Sequence, residues 1–181
     1  MAAHTARMNA LWGILLLAGC TGQPSDTAAV EPAALATADG WLLLDPGEDP
    51  IPDRSPAAGP CERLGYGAEG TAFEVQTGDC PHGVFSQPAG HAAPAGSTVT
   101  ASAWHMDLFA EQDAHGHLAL QLGTDRAEIR PAIPGPPGAY TLRVTLNMPL
   151  EAGDPIVLHV HNHGSNSWYL GPVAVLPPEE L

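Results

Sequence analysis

Ser97-Thr98-Val99-Thr100-Ala101-Ser102-Ala103-Trp104-His105-Met106 repeats with a period of two. That is the pattern of a β-strand, in which successive side chains point to opposite faces. Val99, Ala101, Ala103 and His105 share one face, and Thr98, Thr100, Ser102, Trp104 and Met106 share the other. The same alternation recurs on both sides of this stretch. Phe73 and Val75 mark a face within 71–76, Val84 to Gln87 form a short run, and Leu118, Leu120 and Leu122 line one side of 117–122. Residues 127–133 carry Ile129 and Ile133 but also Pro131, which lacks an N–H and so belongs on an edge. Tyr140, Leu142, Val144 and Leu146 define the next face, and Ile156, Leu158 and Val160 the one after. Trp168, Tyr169, Val173 and Val175 close the series. About eight short strands, roughly 10 to 20 residues apart and joined by Gly, Pro and Asp turns, predict an all-β antiparallel sandwich of jelly-roll type. No long segment has helical periodicity, and 108–114 has room for only a short helical turn.

Composition agrees. The 181 residues include 20 Gly and 19 Pro, the two worst residues for a helix interior. Twenty acids stand against six arginines and no lysine, a net charge of -14. Nucleic-acid binding depends on basic residues that neutralise phosphate, so that class is excluded.

Residues 1–19 hold His4 and Arg7, then an apolar run from Ala10 to Ala18, followed by Cys20. The run is shorter than the ~20 residues needed to span a bilayer and reads as a signal peptide. Leu17-Ala18-Gly19-Cys20 resembles the lipobox of bacterial lipoproteins. The resemblance implies that 1–19 are removed, that Cys20 carries a lipid, and that the membrane is a partner through that lipid. Thr21 after Cys20, in place of Asp, points by the same resemblance to the outer membrane of the cell envelope. Lipid on Cys20 leaves Cys61 and Cys80 as an even pair in an oxidising compartment, hence a disulfide.

Residues 21–60 contain seven prolines and seven acids against Arg54 alone. They read as an extended, acidic tether. Trp41-Leu42-Leu43-Leu44 interrupts it, either as an outlying strand or as a loose turn. The sandwich is expected over 61–178, and 179–181 as a frayed tail.

Histidine is the notable chemistry-bearing residue. In His159-Val160-His161-Asn162-His163 the three imidazoles would share one strand face, opposite Leu158 and Val160. Such a row could chelate zinc or copper, with His159, His161 and His105 the expected ligands and His163 adjacent; Asp107, His115 or His117 could also complete the set. The alternative is that His161, Asn162 and His163 hydrogen-bond a turn and a neighbouring strand, with His159 partly exposed. The His-x-His pattern is similar to that of cupins and of copper–zinc superoxide dismutases. Here Gly164 to Asn166 replace the Glu that cupins require, and no His follows His163 as the dismutases require.

The closing segment, Asn162 to Leu170 followed by Gly171-Pro172-Val173-Ala174-Val175-Leu176, resembles the last strands of galactose-binding-like jelly rolls and carbohydrate-binding modules. The resemblance implies a binding module for carbohydrate or an envelope protein, with Trp104, Trp168, Tyr169 and Asn166 as candidate ligand residues. Because Trp168 and Tyr169 are neighbours, one ring must turn inward. No G-x-S-x-G elbow, phosphate loop or HExxH occurs, so no catalytic residue is assigned and a non-enzymatic role is expected.

Overall fold

The structure is a computed structural model that describes residues 33–51, Cys61 and 63–176. The signal segment, the lipidation expected at Cys20 and the tail at 179–181 lie outside the described residues. In chain order the strands are β1 (Ala33–Ala36), β2 (Leu42–Leu43), β3 (Tyr66–Glu69), β4 (Ala72–Gln76), β5 (His82–Pro88), β6 (Thr98–His105) and β7 (Ala114–His115). They continue as β8 (His117–Leu122), β9 (Asp125–Ile129), β10 (Ala132–Ile133), β11 (Gly138–Thr145), β12 (Pro155–His161), β13 (Ser167–Leu170) and β14 (Val173–Val175).

Two antiparallel sheets face one another. In the first, β6 pairs with β11 along one edge and with β13 and β14 in succession along the other; β13 continues to β4 and β3, and β14 to β1. The second runs β2-β5-β12-β8-β9. Stripped of its short additions, the strand order is 4-13-6-11 opposite 5-12-8-9, the double-sheet arrangement of a jelly roll. Those eight strands are the ones the alternation predicts, except that the run expected over 127–133 divides into β9 and β10, with Pro131 between them, and the closing run into β13 and β14.

The core lies between the sheets. From the first come Val99, Ala101, Ala103, Leu142, Val144 and Trp168, and from the second Phe85, Leu118, Leu120, Leu122, Ile156, Leu158 and Val160, all buried. Leu158 stands opposite both Phe85 and Leu120, so one apolar row crosses three strands. Cys61 is bonded to Cys80, which is buried just ahead of β5.

The tether expected over 20–60 is corrected at 33–51. β1 pairs with β14, β2 pairs with β5, and Leu35, Trp41 and Ile51 are buried. Trp41 packs on Phe73 with ring centroids 5.9 Å apart. Apolar residues set singly among Pro and acids are enough to dock a segment when each finds a prepared cavity, whatever the average composition. The acids at 45–48 serve as local caps: Asp45 accepts from the Gly47 amide at 2.8 Å, and Glu48 accepts from the Asp45 amide at 3.2 Å. The helical turn envisaged at 108–114 does not form. Leu108 exchanges backbone hydrogen bonds with Gly135, and Ala114–His115 pair with β10 instead.

Candidate functional site

The two sheets present very different outer faces. On the second sheet the inward residues of β12 are Ile156, Leu158 and Val160, so His159 and His161 point outward, as the spacing predicts. His161 stands directly opposite His82 on β5 and His117 on β8, placing three imidazoles in one rank across adjacent strands. His159 lies one step along, its ring 5.3 Å from that of His82 and 4.8 Å from that of His117. His163 follows the strand end, exposed, with its ring 5.0 Å from that of His161.

An outer face would ordinarily be wet, yet His82, His117, His159 and His161 are all buried. Residues 44–51 lie over part of this face. The Leu44 amide donates to the Val84 carbonyl at 2.8 Å, and Ile51 is buried. Asp49 Oδ2 sits 2.9 Å from His159 Nδ1 and 3.2 Å from His82 Nε2, with its side chain fully covered. Burial by itself would raise the Asp49 pKa. Hydrogen bonds from His159, His82 and the Ile51 amide, with the charge of His159, outweigh burial and hold the carboxyl well below its usual range. On the far side, His117 Nε2 lies 3.2 Å from Glu128, which also pairs with Arg126 at 3.3 Å.

His105 does not join this group. It is on the inner face of the first sheet, beside Trp168, and both of its ring nitrogens are engaged. Nδ1 lies 2.7 Å from the Met106 carbonyl, which can only accept, so Nδ1 donates and Nε2 accepts from the Tyr140 hydroxyl at 3.0 Å. Sequence spacing also misses Asp49 and His82. His82 is recoverable, since it extends the alternation of β5 by two residues, but nothing local marks Asp49.

On the first sheet, Trp104 and Tyr169 are cross-strand partners on the outer face. Their rings stack with centroids 5.3 Å apart and planes within 8°. The Tyr169 hydroxyl donates to Glu74 at 3.0 Å. Its pKa is raised, by burial first and then by the Glu74 hydrogen bond and charge, so the phenol remains a donor. Beside Tyr169 opens a cleft of about 380 Å³, lined in part by Gln76, Asp107, Phe109, Ser165 and Ser167.

The other two candidate ligand residues serve the scaffold. Trp168 turns inward and is buried, because its register partners are Val75 and His105 on the core side. Asn166 is consumed by the turn it closes: Oδ1 accepts from the Phe109 amide at 2.7 Å, and Nδ2 donates to the carbonyls of Phe109 and His163 at 3.3 and 3.2 Å. Buried Thr77 anchors that turn. Its hydroxyl lies 2.8 Å from the Gly164 carbonyl and accepts from the Asn166 amide and from Asn162 Nδ2, each at 3.0 Å. Gly164 has φ +85°, and a Cβ there would strike the Phe109 carbonyl.

No protein-family model matches the chain, and no curated protein matches it. Among solved structures the chain is similar to an arabinose-bound α-L-arabinofuranosidase, MgGH51, at 9% identity and a TM-score of 0.47, over 81% of this chain and 26% of that one. It is also similar to a CBM4 structure at 15% identity and a TM-score of 0.40, over 77% of this chain and 87% of that one. A family 16 carbohydrate-binding module is similar at 12% identity and a TM-score of 0.37, over 61% and 79%. The chain spans about a quarter of the arabinofuranosidase. The fold assignment rests on this chain's own strand pairing.

Proposed function

We propose that this chain is an exported lipoprotein of the cell envelope, anchored by lipid on Cys20, and that its sandwich is a non-catalytic module that binds carbohydrate. The observation that carries the ligand class is the parallel pair of Trp104 and Tyr169 on the outer face of the first sheet, with Tyr169 bordering the cleft. A pyranose or furanose ring offers a face of C–H groups that packs on an aromatic plane, and hydroxyls around its rim that need donors and acceptors. Tyr169 and Phe109 supply apolar surface, while Gln76, Asp107, Ser165 and Ser167 supply the polar rim. Because Glu74 fixes the Tyr169 hydroxyl, the ring keeps its orientation, and little side-chain entropy is lost on binding.

A glycan array probed with the full chain tests the reading, followed by calorimetry on any hit with the wild type and Trp104→Ala. Binding that weakens in the variant supports it. An array without hits, or a hit that binds the variant equally well, removes this face as the ligand site.

A further inference from the structure

We propose that Asp49, His82 and His159 bind a divalent transition-metal cation of the zinc class, and that this ion fastens the 44–51 segment to the outer face of the second sheet. The site lies on the opposite sheet from the aromatic face, and the inference is independent of carbohydrate binding. One ligand atom from each of Asp49, His82 and His159 falls within 4.8 Å of the other two. The two distances to the carboxylate are 2.9 and 3.2 Å. Ligands at ~2.0–2.1 Å around a tetrahedral zinc ion stand about 3.3 Å from one another, so the group needs only a small adjustment to surround a cation.

The donor set selects the metal class. Two imidazoles and one carboxylate suit zinc and its neighbours, whereas calcium and magnesium take oxygen ligands. Cys61 and Cys80 are bonded to each other and offer no thiolate. Three protein ligands leave a fourth position for water or a neighbouring side chain. The surroundings favour retention: Ile51, Val84 and Ala119 are buried around the group, and the Ile51 amide donates to Asp49 Oδ1 at 2.9 Å, orienting the carboxylate from outside the site.

In the hydrogen bond to Asp49 the His159 Nδ1 carries the proton, and the buried Nε2 has no hydrogen-bond partner among the described residues. When a cation takes Nδ1, the ring's proton sits on Nε2, the nitrogen away from the metal. The carboxylate charge is then balanced by the ion.

The experiment titrates zinc chloride into the full chain, purified without a histidine tag and stripped with chelator, and follows heat and thermal midpoint. The wild type should bind one equivalent and gain thermal stability with rising zinc. Asp49→Asn and His159→Gln should each weaken binding about 10-fold or more, while His163→Gln and His115→Gln stay within about 2-fold. Circular dichroism establishes that each variant is folded, and His82→Gln replaces any that is not. Two results overturn the proposal. One is no heat and no midpoint shift at about 100 μM zinc, where a micromolar site is saturated; the other is undiminished binding in the folded variants of the triad. Copper(II) binds most such donor sets more tightly than zinc, so copper affinity alone counts for nothing here.

Discussion

His159 Nδ1 and Asp49 Oδ2 meet at 2.9 Å although 110 residues of chain separate them. The contact joins a Pro-rich amino-terminal segment to the central strand of the second sheet. Asp49 has a folded-state pKa below its ordinary 3.8, so its contribution to stability is present above about pH 4 and is lost as pH falls through the lower folded value. Asp49→Asn removes that dependence. Urea midpoints measured from neutral pH down to about pH 2 should fall less steeply for the variant than for the wild type. Parallel acid limbs would show that the contact contributes nothing to folding.

Trp41 tests where the domain begins. Its indole is buried against Phe73, so Trp41→Ala should cost about 3–5 kcal/mol in urea unfolding, the usual loss for an aromatic core residue. A chain starting at Cys61 lacks β1, β2, Trp41 and Ile51 together and should unfold at markedly lower urea than the full chain. Equal midpoints for the two chains would contradict the docking of 33–51.

Thr77→Val keeps the side-chain shape but removes the hydroxyl that anchors Gly164, Asn162 and Asn166. Buried partners left unpaired should cost about 1–3 kcal/mol. Gly164→Ala should do at least as much damage, since it combines a left-handed backbone with a collision at the Phe109 carbonyl. Chemical denaturation measures both; a neutral Thr77→Val would mean that water replaces the hydroxyl.

Carbohydrate affinity should depend on the aromatic pair in a graded way. Stacking adds about 0.5–1.5 kcal/mol beyond buried area, so Trp104→Ala should weaken a bound glycan by roughly 2- to 10-fold or more. Glu74→Gln leaves both rings in place and weakens only the hold on the Tyr169 hydroxyl, so its effect should be smaller. Calorimetry with the two variants ranks them, and a larger loss for Glu74→Gln would assign direct ligand contact to the carboxylate.

Periodicity reveals what neighbouring residues share. The inward faces of β6, β8 and β12 are legible in Val99-x-Ala101-x-Ala103, Leu118-x-Leu120-x-Leu122 and Ile156-x-Leu158-x-Val160, because burial on one face imposes period two. The outward histidines of β12 follow from the same rule. Choosing between Trp168 and Tyr169 needs the register against Val75 and Glu74, which alternation does not contain. His105 resembles a ligand until the Met106 carbonyl and Tyr140 hydroxyl are seen to occupy it. Asp49 is the hardest residue to foresee. Its partners are His82 and His159, and an acid among prolines looks solvated until the sheet beneath it exists.

The first described strand begins at Ala33, and twelve residues, Thr21 to Pro32, lie between it and Cys20. At 3.3–3.6 Å per residue their contour cannot exceed about 40 Å, against about 140 Å for a leash running to Pro60. In the proposed lipoprotein the module is therefore confined to roughly one membrane thickness from the lipid surface that holds it. In that reading a glycan has to come within that short radius to be captured, and the working range is set by where the first strand begins.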